Sequence, residues 1–228
     1  DEVSVEEDGF ANSCANVADS ILDYAQNEIE KHNLIFGKKI KHCGAAVESI
    51  LEQLKNEYYD LVLLGSHGKK GIQKWLGSVS QEIINSTERN VYISKEENRK
   101  ESILFTTDGS PHSLAIVNNT IAHLKLQDKK IYTCIVNEDP DLLFLEGTLD
   151  TNWLLSIQRQ QNIYATKAIK EIQNILKCND LTVTEAAILN GNPAQKIIDF
   201  AKAREIDLIV TGEREKSKLD DFLMGSVS

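Results

Sequence analysis

Apolar residues along this chain switch between two periods. From about Asn12 to Asn33 they recur at helical spacing. A second helix is expected from Ala46 to about Tyr58, with Val47, Ile50, Leu51 and Leu54 on one face. Further helices are expected at Ser78–Ser86, His112 to about Leu124, about Asn152 to Lys177, and Pro193–Arg204. Pro193 suits a first helical turn, where a missing N–H costs nothing. Short apolar runs between them read as strands: Lys38–Cys43, Leu61–Leu64, Asn90–Ile93, Ile103–Thr107, Ile131–Val136, Leu181–Leu189 and Ile206–Thr211. Asp1–Asn12 is polar and reads as a loop, and Asn137–Asp150 as a long acidic one. Strands alternating with helices predict an α/β fold with a parallel sheet and right-handed crossovers. In such sheets ligands bind beyond the carboxyl ends of the strands, at the topological switch point. The runs ending at Thr107 and Thr211 would present Asp108 and Gly212 to one crevice.

The pattern occurs twice. Asp60 and Asp207, Gly65 and Gly212, and Gly44 and Gly191 are each 147 residues apart. Gly77 and Gly225 are 148 apart, so the first copy's loop is one residue shorter. Ala18, Ile21, Leu22, Ala25 and Ile29 match Ala165, Ala168, Ile169, Ile172 and Leu176 at the same offset. So long a period means two copies of one domain rather than a solenoid. The wholly polar stretch Lys95–Ser102 reads as the linker, giving domains 1–97 and 101–228. Asp1 falls opposite Thr148, and Ser228 opposite Ser80. The expectation is therefore a parent chain longer at both ends. The first copy would lack its initial strand-helix-strand, and the second its last helix and strand.

A formal charge of −10 argues against general binding to nucleic acid or to an anionic membrane, since both need a basic surface. No apolar run approaches membrane-spanning length, and the acidic start DEVSVEEDG is no signal peptide. Cys14, Cys43, Cys134 and Cys178 form no CxxC pair. They read as buried thiols of a reducing cytoplasm, with no metal site.

Candidate chemistry lies in Asp60–Ser80, DLVLLGSHGKKGIQKWLGSVS, and its counterpart Asp207–Ser228. A strand, a glycine-punctuated loop and a helix start can hold phosphate, because glycines admit the anion to backbone N–H groups. Lys69, Lys70 and Lys74 of the first loop suit phosphate. The competing reading is a solvated loop with Ser78 as helix cap. The second loop sets Glu213, Glu215, Asp220 and Asp221 against Arg214, Lys216 and Lys218. A carboxylate about 4 Å from a phosphate charge costs on the order of 4 kcal/mol near a surface. A bridging Mg ion would weaken that objection. Asp108 before Gly-Ser-Pro has a turn-forming reading alongside the ligand one. His67 reads as a loop donor, and His112 and His123 as helix surface or core residues.

The second copy's ILFTTDGSPHSLAIVN, DLIVTG and MGSVS resemble the universal stress protein family, and the first copy's DLVLLGSHGKKGIQKWLGSVSQEIINSTERNVYISK resembles it more strongly. The resemblance spans nearly the whole chain. It implies tandem domains, each a parallel five-stranded open sheet of order 3-2-1-4-5 flanked by helices. It also implies self-association through a tandem or dimer interface. For the nucleotide-binding branch it implies ATP or AMP as ligand. That branch carries Gly, two residues, Gly, nine residues, then Gly and Ser or Thr. The first copy has eight residues before Gly77-Ser78, and the second has Glu215 in place of the second glycine. The ligand set implied for the second copy is Thr107, Asp108, Val136, Gly212, Gly225, Ser226 and Val227. Asp108 would meet the ribose or adenine end, Val136 the base through its backbone, and the last four the phosphates. In the first copy the phosphate roles fall to Gly65, Gly68, Gly77 and Ser78. The functional expectation is a stress-response regulator that binds an adenine nucleotide, a protein partner, or both. Catalysis would amount to slow ATP hydrolysis at most. The alternatives are a nucleotide-free scaffold, and a phospho-acceptor of response-regulator type, for which TTDGS supplies one Asp rather than the full acidic set.

Overall fold

A computed structural model describes residues 2–42, 44–66, 76–95, 101–138 and 151–212, with side chains from residue 16 in the first helix and residue 154 in the fifth. The chain separates into two compact units, Asp1–Lys95 and Glu96–Ser228.

The first unit runs α1 (Glu2–Lys31), α2 (Ala46–Asn56), β1 (Leu61–Gly65), α3 (Ser78–Ser86) and β2 (Asn90–Ser94). Helix α1 begins some ten residues before the periodic stretch, so 2–12 is helical rather than the expected loop. Strands β1 and β2 pair in parallel, Leu61 opposite Asn90 through Gly65 opposite Ser94.

The strand expected over Lys38–Cys43 is not formed among the described residues of that segment. Its counterpart in the second unit pairs with the strand at Lys130–Asn137, and no strand among the described residues of the first unit takes that place. Residues 38–42 instead lie along helices. Lys41 pairs with Asp19 at 2.7 Å, Lys39 with Asp23, and Lys38 with Glu57 at the end of α2. The apolar side chains that would cover such a sheet stay exposed, including Val17, Ile21 and Tyr24 of α1 and Leu63 of β1.

The second unit runs β3 (Ser102–Thr107), α4 (Pro111–His123), β4 (Lys130–Asn137), α5 (Thr151–Cys178), β5 (Val183–Asn190), α6 (Pro193–Ala203) and β6 (Leu208–Val210). All strands are parallel, in the order β5-β4-β3-β6. The described residues thus form one sheet of two strands and one of four. Every residue of β3 is buried, as befits a strand covered on both faces. On one face Ile103 and Phe105 pack with Val117 of α4, Ile131, and Ile172 and Leu176 of α5. On the other, Leu104 and Cys134 pack with Ile197, Phe200 and Ala201 of α6. Helices therefore cover both sides.

The start of β3 is fixed by Asp207. Its Oδ2 accepts hydrogen bonds from the amides of Glu101 and Ser102, both at 3.0 Å, and from Ser102 Oγ at 2.8 Å. At the other end Thr106 Oγ1 donates to Val210 O at 3.1 Å. These two ties set the register of β3 against β6, and with it the place of their carboxyl ends.

Candidate functional site

The chain leaves β3 toward β4 on one side and returns through α6 to β6 on the other. This is the switch point of the sheet, and a crevice opens there. It holds a cavity of about 190 Å³. Thr107, Asp108, Val136 and Gly212 all line it, contributed by the ends of three adjacent strands.

The turn after β3 is built by its own side chains. Gly109 N donates to Thr107 Oγ1 at 2.9 Å, and Ser110 N to Asp108 Oδ1 at 2.9 Å. Ser110 caps α4, its Oγ accepting from Ser113 N at 3.1 Å. Ser113 Oγ donates to Ser110 O at 2.9 Å and lies 2.8 Å from Thr107 Oγ1. One proton arrangement satisfies this chain, with Thr107 donating to Ser113 and accepting from Gly109. Thr107 is buried and its hydroxyl is committed to the turn. Partial burial works to raise the Asp108 pKa. Hydrogen bonds from the Ser110 hydroxyl and amide and from Ser113 outweigh it and hold the carboxyl below its usual range. Asp108 is therefore ionised at neutral pH, and Oδ1 already serves the turn.

Gly109 adopts φ +79°, in the left-handed region that favours glycine. A Cβ there would lie 2.7 Å from Tyr164 Oη of α5, so the Tyr164 ring closes over the turn. Gly212 has a packing role as well. A Cβ on it would fall 2.5 Å from Ile116 Cδ1 and 3.7 Å from His112 Cδ2. On the β4 side, Gly191 N donates to Asn137 O at 3.0 Å, and Gln161 Nε2 donates to Glu138 O at 3.2 Å.

His112, Ser113 and Glu138 line the crevice too, and sequence reasoning missed them. His112 reads as an ordinary helix-surface residue until its helix is placed, when the first turn of α4 proves to edge the crevice. Glu138 follows a strand whose predicted end, Val136, falls one residue short of Asn137. Cys134 also lines the crevice. Burial pushes its thiol up to about 12, so it is no thiolate nucleophile.

In the first unit, Gly65 ends β1 and Gly77 is the N-cap of α3. The two ends of the loop meet, with Gly77 N donating to Ser66 O at 2.7 Å. Ser78 is the first helical residue and not the cap it was expected to be, because Gly77 already occupies that extended position. Ser80 holds the strand end instead, its Oγ donating to Gly65 O at 2.8 Å. Gly68, Gly225, Ser226 and Val227, like His67, Glu215 and the loop lysines, lie outside the described residues. Among the described residues no cluster of His, Cys, Asp and Glu could hold a metal ion, and no helix is long and apolar enough to cross a membrane.

Comparison with known proteins agrees with this architecture. A universal stress protein of Methanocaldococcus jannaschii is 29% identical over 139 residues, covering 61% of this chain and 79% of that protein. Universal stress protein A homolog 2 of Coxiella burnetii is 39% identical over 80 residues, covering 33% of this chain and 55% of its own length. The crystal structure of a universal stress protein from Archaeoglobus fulgidus superposes with a TM-score of 0.63 at 18% identity, covering 89% of this chain and 68% of that one. The Universal stress protein family profile matches twice, at residues 13–95 and 100–228, and the chain belongs to that family as a tandem member.

Proposed function

We propose that the second unit binds an adenine nucleotide, ATP or AMP, in the crevice at the ends of β3, β4 and β6. Bound nucleotide would alter how this stress-response protein associates with itself or a partner in the cytoplasm. The observation that carries this reading is the convergence of Thr107, Asp108, Val136 and Gly212 on one crevice. The described cavity of about 190 Å³ is smaller than the roughly 300 Å³ at which small-molecule sites begin. It fits the nucleoside end, with the phosphates running past Gly212 toward the loop that follows. Asp108 is the group for a ribose hydroxyl, its carboxylate shared between the ligand and the turn. The role is binding rather than turnover. Among the described lining residues Cys134 is neutral and buried, and no base is paired with a nucleophile.

Isothermal titration of the full chain with ATP and with AMP, with and without Mg, tests the reading. Saturable heat is expected. None at millimolar nucleotide would overturn it. A nucleotide-free scaffold is the second reading, favoured by the two carboxylates Asp108 and Glu138 in the described lining. Nucleotide released on denaturing the purified protein would argue against it.

A further inference from the structure

Charge is unevenly spread around the crevice. The groups able to carry charge at moderate pH among its described lining residues are Asp108, Glu138 and His112. Glu138 lies at the end of β4, beside Val136. His112 lies in the first turn of α4, its ring carbon Cδ2 3.7 Å from where a Gly212 Cβ would be. Asp108 stands between them at the end of β3. The β4 end is thus anionic and the β6 end is switchable. The first-turn amides of α4 add positive potential at the His112 end.

We propose that His112 is a ligand-binding residue, a titratable contact for the anionic end of the nucleotide, so that the site takes up phosphate more tightly as pH falls. This rests on the reading of the crevice as a nucleotide site and adds a regulator to it. Imidazole changes charge between about pH 5 and 8, and a bound phosphate beside it favours the charged form. The sign follows from linkage. Protonated His112 binds the anion better, so nucleotide binding takes up a proton and affinity rises as pH drops through the imidazole range. The other described groups that line the crevice set its charge. Asp108 and Glu138 are anionic, Cys134 is neutral, and the lining residues Pro193 and Ile197 of α6 and Thr211 and Gly212 after β6 carry no charge. A protonated His112 would be the one cation among the described lining residues, beside two carboxylates, and a neutral imidazole leaves that lining net anionic.

The experiment is a titration of the full chain and of His112→Gln with ATP at pH 8 and pH 5.5, with adenosine as a ligand lacking phosphate. Comparing variant and parent at each pH removes the ionisation of ATP itself. The Kd ratio of variant to parent should climb at least about five-fold from pH 8 to pH 5.5 for ATP, and stay flat for adenosine. His112→Arg, which keeps its charge, should bind ATP more tightly than His112→Gln by a factor that does not change between pH 8 and pH 5.5. NMR titration of His112 should show its pKa rise when ATP is added. A flat ratio with ATP still bound overturns the role of His112 alone. A ratio that climbs equally for adenosine also overturns it, by showing that phosphate is not the group sensed. Absence of ATP binding to the parent at either pH overturns it together with the nucleotide reading.

Discussion

Thr133 offers a sharp test of the packing. It lies in the middle of β4, fully buried, opposite Phe105 of β3 and Ala186 of β5. Its neighbours on the same face are Ile131, in the cluster under α4 and α5, and Ile135, which packs with Ala165, Ala168 and Ile169 of α5. Among the described residues its Oγ1 has no hydrogen-bond partner. A hydroxyl dehydrated without a partner costs roughly 1–3 kcal/mol. Thr133→Val exchanges that hydroxyl for a methyl of nearly the same shape, between isoleucines that suit it. The expected gain is about 1–2 kcal/mol, with a further small contribution from strand propensity. Thr133→Ser, which keeps the hydroxyl and deletes the methyl, should lose about 1 kcal/mol. Native-state hydrogen exchange of β4 amides reads the opening of the second unit directly. About 1.4 kcal/mol is tenfold, so the slowest β4 amides in Thr133→Val should exchange about 5–30-fold more slowly. Exchange that is unchanged or faster would refute the reasoning, since it would mean that the hydroxyl is satisfied in the native state.

Three further predictions rest on the turn and on the strand start. Gly109→Ala forces a left-handed residue and drives a Cβ to 2.7 Å from Tyr164 Oη. It should destabilise the second unit by about 2–3 kcal/mol in thermal or urea unfolding, with part restored by Tyr164→Ala. Asp108→Asn keeps an Asx-turn acceptor for Ser110 N and removes the charge, so stability should change by less than about 0.5 kcal/mol while ATP affinity falls measurably. Equal losses of stability and affinity would make Asp108 a turn residue only. Burial works to raise the Asp207 pKa, but hydrogen bonds from Ser102 and Glu101, with a smaller pull from Lys129, leave it lowered. Its folded-state contribution is therefore present above the ordinary Asp value of about 3.9 and is lost as pH falls through the lowered value. Asp207→Asn should cost about 1–2 kcal/mol at pH 7, discounted for the exposure of the carboxyl, and progressively less in acid-unfolding curves as the carboxyl is protonated.

Much of the second unit was legible because its strands are short apolar runs set between helical periods. Ile103–Thr107 is apolar without alternation and is buried on both faces. The α5 register was marked by Ala165, Ala168, Ile169, Ile172 and Leu176, all of them buried. Two stretches misled in the first unit. Residues 2–12 have no apolar period, so nothing in the pattern marked the helix that forms there. Residues 38–42 have a strand's alternation, yet alternation specifies a strand only where a neighbour supplies the ladder. Asp108 and Gly212 could be placed on the crevice because the end of a parallel strand is a position that sequence marks. His112 and Glu138 could not, since each depends on where a helix or strand end lies within a residue or so, and boundaries are what patterns resolve least well.

The side-chain economy of the turn narrows what the crevice can offer a ligand. Thr107 looks like a ligand residue by position, but its hydroxyl already donates to Ser113 and accepts from Gly109, which leaves a ligand one acceptor lone pair. Gly212 owes its small size at least in part to Ile116. A glycine at that position is thus explained by packing as well as by an approaching phosphate. What the described lining sets before a ligand is the Asp108 carboxylate, the strand ends at Val136 and Gly212, and the ring of His112. These groups run across the sheet from β4 to β6, with hydrogen-bonding groups at one end and a titratable cation at the other. That order is what the proposed nucleotide, with a hydrogen-bonding base and ribose and an anionic tail, would require.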